Sequence, residues 1–141
     1  MTAELRELIA AGELREVARL LGRPFEVAGL VVEGDRRGKL LGFPTANLDL
    51  PADQLLPPRG IYVGEALGHR AAISIGVNPH YGGTMLRVEA HLLDYDGNLY
   101  GQQLVVELWE RLRDERAFAS EADLVDAIAA DVEAARAAVR P

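Results

Sequence analysis

Three groups of residues in this chain have the types and spacing for phosphate chemistry. Gly34-Asp35-Arg36-Arg37-Gly38-Lys39 is a glycine-punctuated loop that carries three cations. Glycines let backbone approach a ligand closely, and successive N–H groups in such a loop can form an anion-binding concavity. Just downstream, Phe43-Pro44-Thr45-Ala46-Asn47 offers two neutral oxygen side chains at i and i+2. Proline biases the residue before it toward extended backbone, and in extended chain i and i+2 share a face. Magnesium takes a few protein oxygens and completes its octahedron with water and phosphate, so Thr45 and Asn47 suit it. The third candidate is Glu107, inside Leu104-Val105-Val106-Glu107-Leu108-Trp109, where every neighbour is apolar. In a cleft, such a carboxylate could accept a proton from an alcohol, a task suited to a raised pKa.

Each group also has a plainer reading, and local pattern leaves both open. The glycine loop can be a surface turn with solvated charges. It is not a Walker A sequence and does not open a helix. Thr45 and Asn47 can cap backbone in a turn, and Glu107 can stand on an exposed sheet face. Other chemistries find less support. His69, His80 and His91 are scattered without metal-ligand spacing. Ser74, in Ile73-Ser74-Ile75-Gly76, lacks a nucleophile-elbow context and reads as a strand residue.

The elements that must position these groups can be read from periodicity. Residues 3–21 read as helix broken near Gly12, with Leu14, Val17, Ala18 and Leu21 at helical spacing and Gly22 and Pro24 as stop signals. The period then changes. Strands are expected at 25–32, 61–67, 71–76, 86–94 and 103–112, with Gly68-His69-Arg70 as a tight turn and Asp96-Gly97 as a hairpin signal. In the fourth of these, Leu86, Val88, Ala90 and Leu92 alternate against Arg87, Glu89, His91 and Leu93, with His91 on the more polar face. Residues 48–60 read as a long proline-bearing loop. Ser120 is placed to cap a C-terminal helix whose apolar stripe is Leu124, Ile128, Val132, Ala135 and Val139. Successive strands without intervening helices predict an antiparallel barrel.

The 141 residues suit one domain, 49% hydrophobic and 26% charged, without cysteine and therefore without disulfides. The net charge of −7 argues against a nucleic-acid surface, while the local clusters Arg36, Arg37, Lys39 and Arg111, Arg113, Arg116 suit a small anionic ligand. The charged N-terminus is not a signal peptide and no apolar run would span a bilayer, so a cytoplasmic protein with no membrane partner is expected.

From Phe25 onward the chain resembles the bacterial riboflavin kinase domain, the C-terminal half of bifunctional riboflavin kinase/FAD synthetase. The resemblance is carried by Gly34-Asp35-Arg36-Arg37-Gly38, Leu41-Gly42-Phe43-Pro44-Thr45-Ala46-Asn47, Gly60-Ile61-Tyr62, Ser74-Ile75-Gly76-Val77-Asn78-Pro79, His91-Leu92-Leu93-Asp94, Leu99-Tyr100-Gly101 and Val106-Glu107-Leu108. It implies a mainly β fold, a six-stranded antiparallel Greek-key barrel with a C-terminal helix, here behind a short helical segment. Residues 1–22 would be a linker or appendage and residues 23–141 the barrel domain. It implies transfer of the ATP γ-phosphoryl to the ribityl 5′-hydroxyl of riboflavin, giving FMN and ADP, with the parts assigned motif by motif. Thr45 and Asn47 would hold magnesium and phosphates. Gly34, Asp35, Arg36, Arg37, Gly38 and Lys39 would cover the nucleotide phosphates. Glu107 would be the base, and Arg113, Asn78 and Tyr81 would face the flavin. Riboflavin and ATP are the expected partners and a monomer the expected state. The chain departs from the family at His80-Tyr81, where Thr-Phe is usual, and it lacks an adenylyltransferase half, so no FAD synthesis is expected. A flavin or nucleotide sensor that kept the fold without the catalysis is the alternative.

Overall fold

The computed structural model describes residues 2–33, 42–77 and 86–141. Two short helices, α1 (Ala3–Ala10) and α2 (Leu14–Leu21), precede six strands: β1 (Phe25–Val32), β2 (Ala46–Asp49), β3 (Gly60–Ala66), β4 (His69–Val77), β5 (Leu86–Leu92) and β6 (Gln103–Arg113). A third helix, α3 (Glu121–Ala137), follows. The strands close into an antiparallel barrel in the order β1-β2-β5-β4-β3-β6. Within it β2-β5-β4-β3 is a Greek-key arrangement, three successive strands with β2 returned against the last of them.

The local reasons are those the sequence offers. Thr2 caps α1 by accepting from Leu5 N, and Gly22, in left-handed backbone, ends α2. The alternation of β1 puts Phe25, Val27 and Val31 inward. Leu48, Tyr62, Ile73, Ile75, Val88, Leu104, Val106 and Leu108 complete the interior. Ile9, Leu14 and Val17 join the same core, so the N-terminal helices pack on the barrel. A separate apolar layer lies between the outer wall and α3, with Val63, Ala72 and Leu93 against Val132 and Ala135. Ser120 caps α3 by accepting from Asp123 N at 3.1 Å.

Several local expectations are corrected. The β3–β4 turn is Leu67-Gly68, at φ 53° and 78°, a two-residue hairpin of the primed kind that needs positive φ at both positions. His69 and Arg70 are therefore strand residues, paired with Ala66 and Glu65. Asp96-Gly97 does not join a hairpin. β5 pairs with β2 and β4 while β6 pairs with β1 and β3, so the segment between them crosses the barrel end. The strand β2 goes beyond the strands that periodicity marked out. Its four residues are too few for a period-2 signal beside a proline. Val139 leaves the apolar stripe: α3 stops at Ala137, Ala138 is extended, and Val139 is 72% exposed. Arg70 and Arg15 draw the tail away by donating to the carbonyls of Ala138 and Val139.

Candidate active site

A cavity of about 600 Å³ lies between the outer wall of the barrel and α3. Its floor is the outward face of β3, β4 and β5, with Ile61, Ala72, Ser74, Glu89 and His91. Phe43 and Thr45 form one rim, ahead of β2. The other side is the end of β6 and the segment after it, with Arg113, Glu115, Arg116 and Phe118, backed by Leu124, Ile128 and Asp131 of α3.

Strand register decides which polar groups meet. Asn47 of β2 is the direct partner of Glu89 on β5, and Glu89 is the direct partner of Ser74 on β4. Direct antiparallel partners hold their Cβ atoms about 4.5–5.5 Å apart on the same face, so the Asn47, Glu89 and Ser74 side chains form a row. The interior takes Ala46 and Leu48 from β2 and Val88 and Ala90 from β5, which turns this row outward. Asn47 is 5% exposed, and its Oδ1 has no hydrogen-bond partner among the described residues. A buried amide oxygen left without a donor costs about 1–3 kcal/mol, so such an atom in a native fold asks for a ligand. Thr45 stands two residues before it, exposed at the rim. Neutral oxygens from Thr45 and Asn47 beside the Glu89 carboxylate make a donor set of the hard-oxygen type that magnesium accepts, so the residues present fit that ion.

The cationic side of the cavity is held by ion pairs. Arg113 grips Asp131 through Nε and Nη2, at 3.0 and 2.8 Å. Arg59 grips Glu115 at 3.1 and 2.9 Å. The guanidinium groups of Arg113 and Arg116 both lie against the Phe118 ring, at 5.8 and 5.0 Å from its centroid. The end of β6 is thereby tied to α3, and the segment after it to the residue that precedes β3. Arg111 turns away from the cavity and donates to Arg59 O and Asp114.

Of the residues singled out from the sequence, Thr45 and Arg113 line the cavity and Asn47 adjoins it through Glu89. Gly34, Asp35, Arg36, Arg37, Gly38, Lys39, Asn78 and Tyr81 lie outside the described residues. Glu107 is placed elsewhere. It pairs with Glu26 on β1 and Glu65 on β3, and it is not among the cavity-lining residues. Asn47 meets β1 at Val32, six residues from Glu26, which is about 20 Å along a strand. The Glu107 carboxylate is engaged by Arg140, at 3.1 Å to each oxygen, and by Trp109 Nε1 at 2.9 Å. Burial pushes its pKa up, but the hydrogen bonds from Arg140 and Trp109 and the charge of Arg140 outweigh this and hold it below the ordinary value. That is opposite to the shift a general base would need. Glu89 lines the cavity beside Asn47, whereas the other two lining carboxylates, Glu115 and Asp131, are gripped by Arg59 and Arg113. Alternation already put Glu89 on the polar face of its strand, but its meeting with Asn47 depends on a β2–β5 register that no local signal contains.

Comparison with known proteins agrees with this architecture. The family model described as Flavokinase, riboflavin kinase, matches residues 21–139. The bifunctional riboflavin kinase/FMN adenylyltransferase of Pseudomonas fluorescens is 39% identical over 145 residues, covering 99% of this chain and 46% of that protein. The chain thus spans less than half the length of the curated relatives it matches. A crystal structure of riboflavin kinase from Trypanosoma brucei aligns with TM-score 0.62 at 27% identity, over 81% of this chain and 78% of that one. A crystal structure from Streptococcus pneumoniae, described as a macrolide-efflux protein, aligns with TM-score 0.91 at 34% identity, over 99% of this chain and 47% of that one. Among the described residues no helix is long and apolar enough to cross a membrane. With a family match over most of its length and the same barrel beneath it, the chain belongs to the riboflavin kinase family.

Proposed function

We propose that this chain transfers the γ-phosphoryl group of ATP to the ribityl 5′-hydroxyl of riboflavin, releasing FMN and ADP. The observation that carries the reading is the buried Asn47 Oδ1, without a hydrogen-bond partner among the described residues, in direct register with Glu89, which lines a cavity large enough for a small ligand. Phosphoryl transfer asks mainly for positioning and charge neutralisation. Thr45 and Asn47 would hold magnesium, which when bound neutralises charge on the nucleotide phosphates. The Gly34–Lys39 loop would cover those phosphates. Glu89, not Glu107, would orient the acceptor hydroxyl and take its proton. Arg113, Asn78 and Tyr81 would serve the flavin side, with Phe118 and Ile128 as apolar walls for an aromatic ring system.

Residues 23–141 are proposed as the catalytic barrel and residues 1–22 as an appendage packed on it. The chain would act as a monomer in the cytoplasm, without nucleic-acid or membrane partners. The test is direct. Purified protein is mixed with riboflavin, ATP and magnesium, and FMN is followed by chromatography. Turnover that needs all three supports the reading. Tight flavin or nucleotide binding without FMN would replace it with a non-catalytic binder.

A further inference from the structure

Thr45 has a support problem. It lies just before Ala46, the first paired residue of β2, so the sheet ladder does not hold its backbone. It is also exposed, so packing does not hold its side chain. In the Phe43-Pro44-Thr45 segment Phe43 packs partly against the apolar layer under α3, and His91 supplies two further contacts. His91 Nδ1 lies 2.7 Å from the carbonyl oxygen of Pro44. Its ring also meets Phe43 edge-on, with centroids 5.7 Å apart and planes at 86°. His91 itself is held in the sheet, with Ala72 as its partner on β4 and its neighbour Ala90 paired with Ala46 on β2.

We propose that His91 is the positioning residue that sets Thr45 at the cavity rim, by donating from Nδ1–H to the carbonyl of Pro44. This deepens the kinase reading above and rests on it for the role of Thr45. The chemistry fixes the tautomer: a carbonyl oxygen only accepts, so Nδ1 carries the proton. Pro44 fixes one backbone torsion and His91 fixes the carbonyl, so together they define the plane from which Thr45 leaves. A displacement of about 1 Å in a positioning group can cost on the order of a hundredfold in rate. His91 therefore acts on the metal–nucleotide side of the site through Thr45.

The substitutions His91→Asn, His91→Gln and His91→Ala separate this role from simple packing. The Asn side-chain amide can place an N–H near the Nδ1 position, whereas the longer Gln places it near Nε2. Expected is a rise of about tenfold in KM for MgATP, and a like loss in MgADP affinity by calorimetry, for the Gln and Ala variants. The Asn variant should stay within about threefold of wild type, and KM for riboflavin should change little in any of them. Equal losses in all three variants, or none, would overturn the proposal. Should the Ala variant not fold, ¹⁵N spectroscopy of wild-type His91 still decides: protonation at Nε2 alone excludes the donation to Pro44. Wild-type protein that binds MgADP but makes no FMN would refute the kinase reading, and the MgADP titrations would still judge His91.

Discussion

Exchanging each of two glutamates for glutamine in turn separates the carboxylate proposed to do chemistry from the one placed away from the cavity. The Glu89→Gln change removes the only basic atom in the Asn47–Glu89–Ser74 row while keeping its size. Loss of a positioned general base lowers turnover by about 10²–10⁴, or about 3–5 kcal/mol in the barrier. The Glu107→Gln change acts from about 20 Å away along the sheet. A unit charge at that distance in water contributes about 332/(80 × 20), roughly 0.2 kcal/mol, and salt screens it further. Its effect on turnover should therefore stay below about 1.5-fold. The assay is the initial rate of FMN formation at saturating riboflavin and MgATP, with thermal unfolding of both variants to show that they are folded. A hundredfold loss for Glu107→Gln at an unchanged thermal midpoint would refute the geometric argument. So would a Glu89→Gln variant that keeps more than half of wild-type turnover.

Asn47→Ala should weaken MgADP binding by at least about tenfold while leaving riboflavin binding near wild type, since it deletes the buried oxygen proposed to hold the metal; paired titrations of the two ligands check it. Its thermal midpoint should move by only a few degrees, because the oxygen it removes has no protein partner to lose among the described residues. Gly64→Ala should destabilise the barrel by about 3 kcal/mol, seen as a shifted denaturant midpoint at unchanged slope, because an added Cβ would sit 1.7 Å from the Glu107 carbonyl oxygen across the β3–β6 bulge. The lowered pKa of Glu107 predicts a pH effect of definite sign. Its contribution is fully present above the unfolded value, about 4.3, and is lost as pH falls through the depressed folded value. Between pH 6 and pH 3 the stability of wild type should thus fall more steeply than that of Glu107→Gln, as measured by urea unfolding. Parallel curves would show that Arg140 does not hold the carboxylate in solution.

Much of this protein is legible along the chain because the signals are local. The helix stop at Gly22, the Ser120 cap and the alternation of β1 and β5 each need only a few neighbouring residues to declare themselves. Side-chain type also marks Thr45 and Asn47 as a pair, since i and i+2 share a face in any extended segment. Partnership is different. Asp96-Gly97 has the composition of a hairpin turn, yet β5 and β6 are separated in the barrel by two strands on one side and two on the other. Glu107 has the apolar setting expected of a perturbed base, yet the outer face it occupies is closed by Arg140, thirty-three residues further on, which lowers its pKa. Glu89 looks like any polar residue on an alternating strand until β2 is laid against β5. Residue types and short-range geometry determine what each segment can offer, while closure of the barrel decides which offers meet, because strand register and tail docking depend on contacts dozens of residues apart.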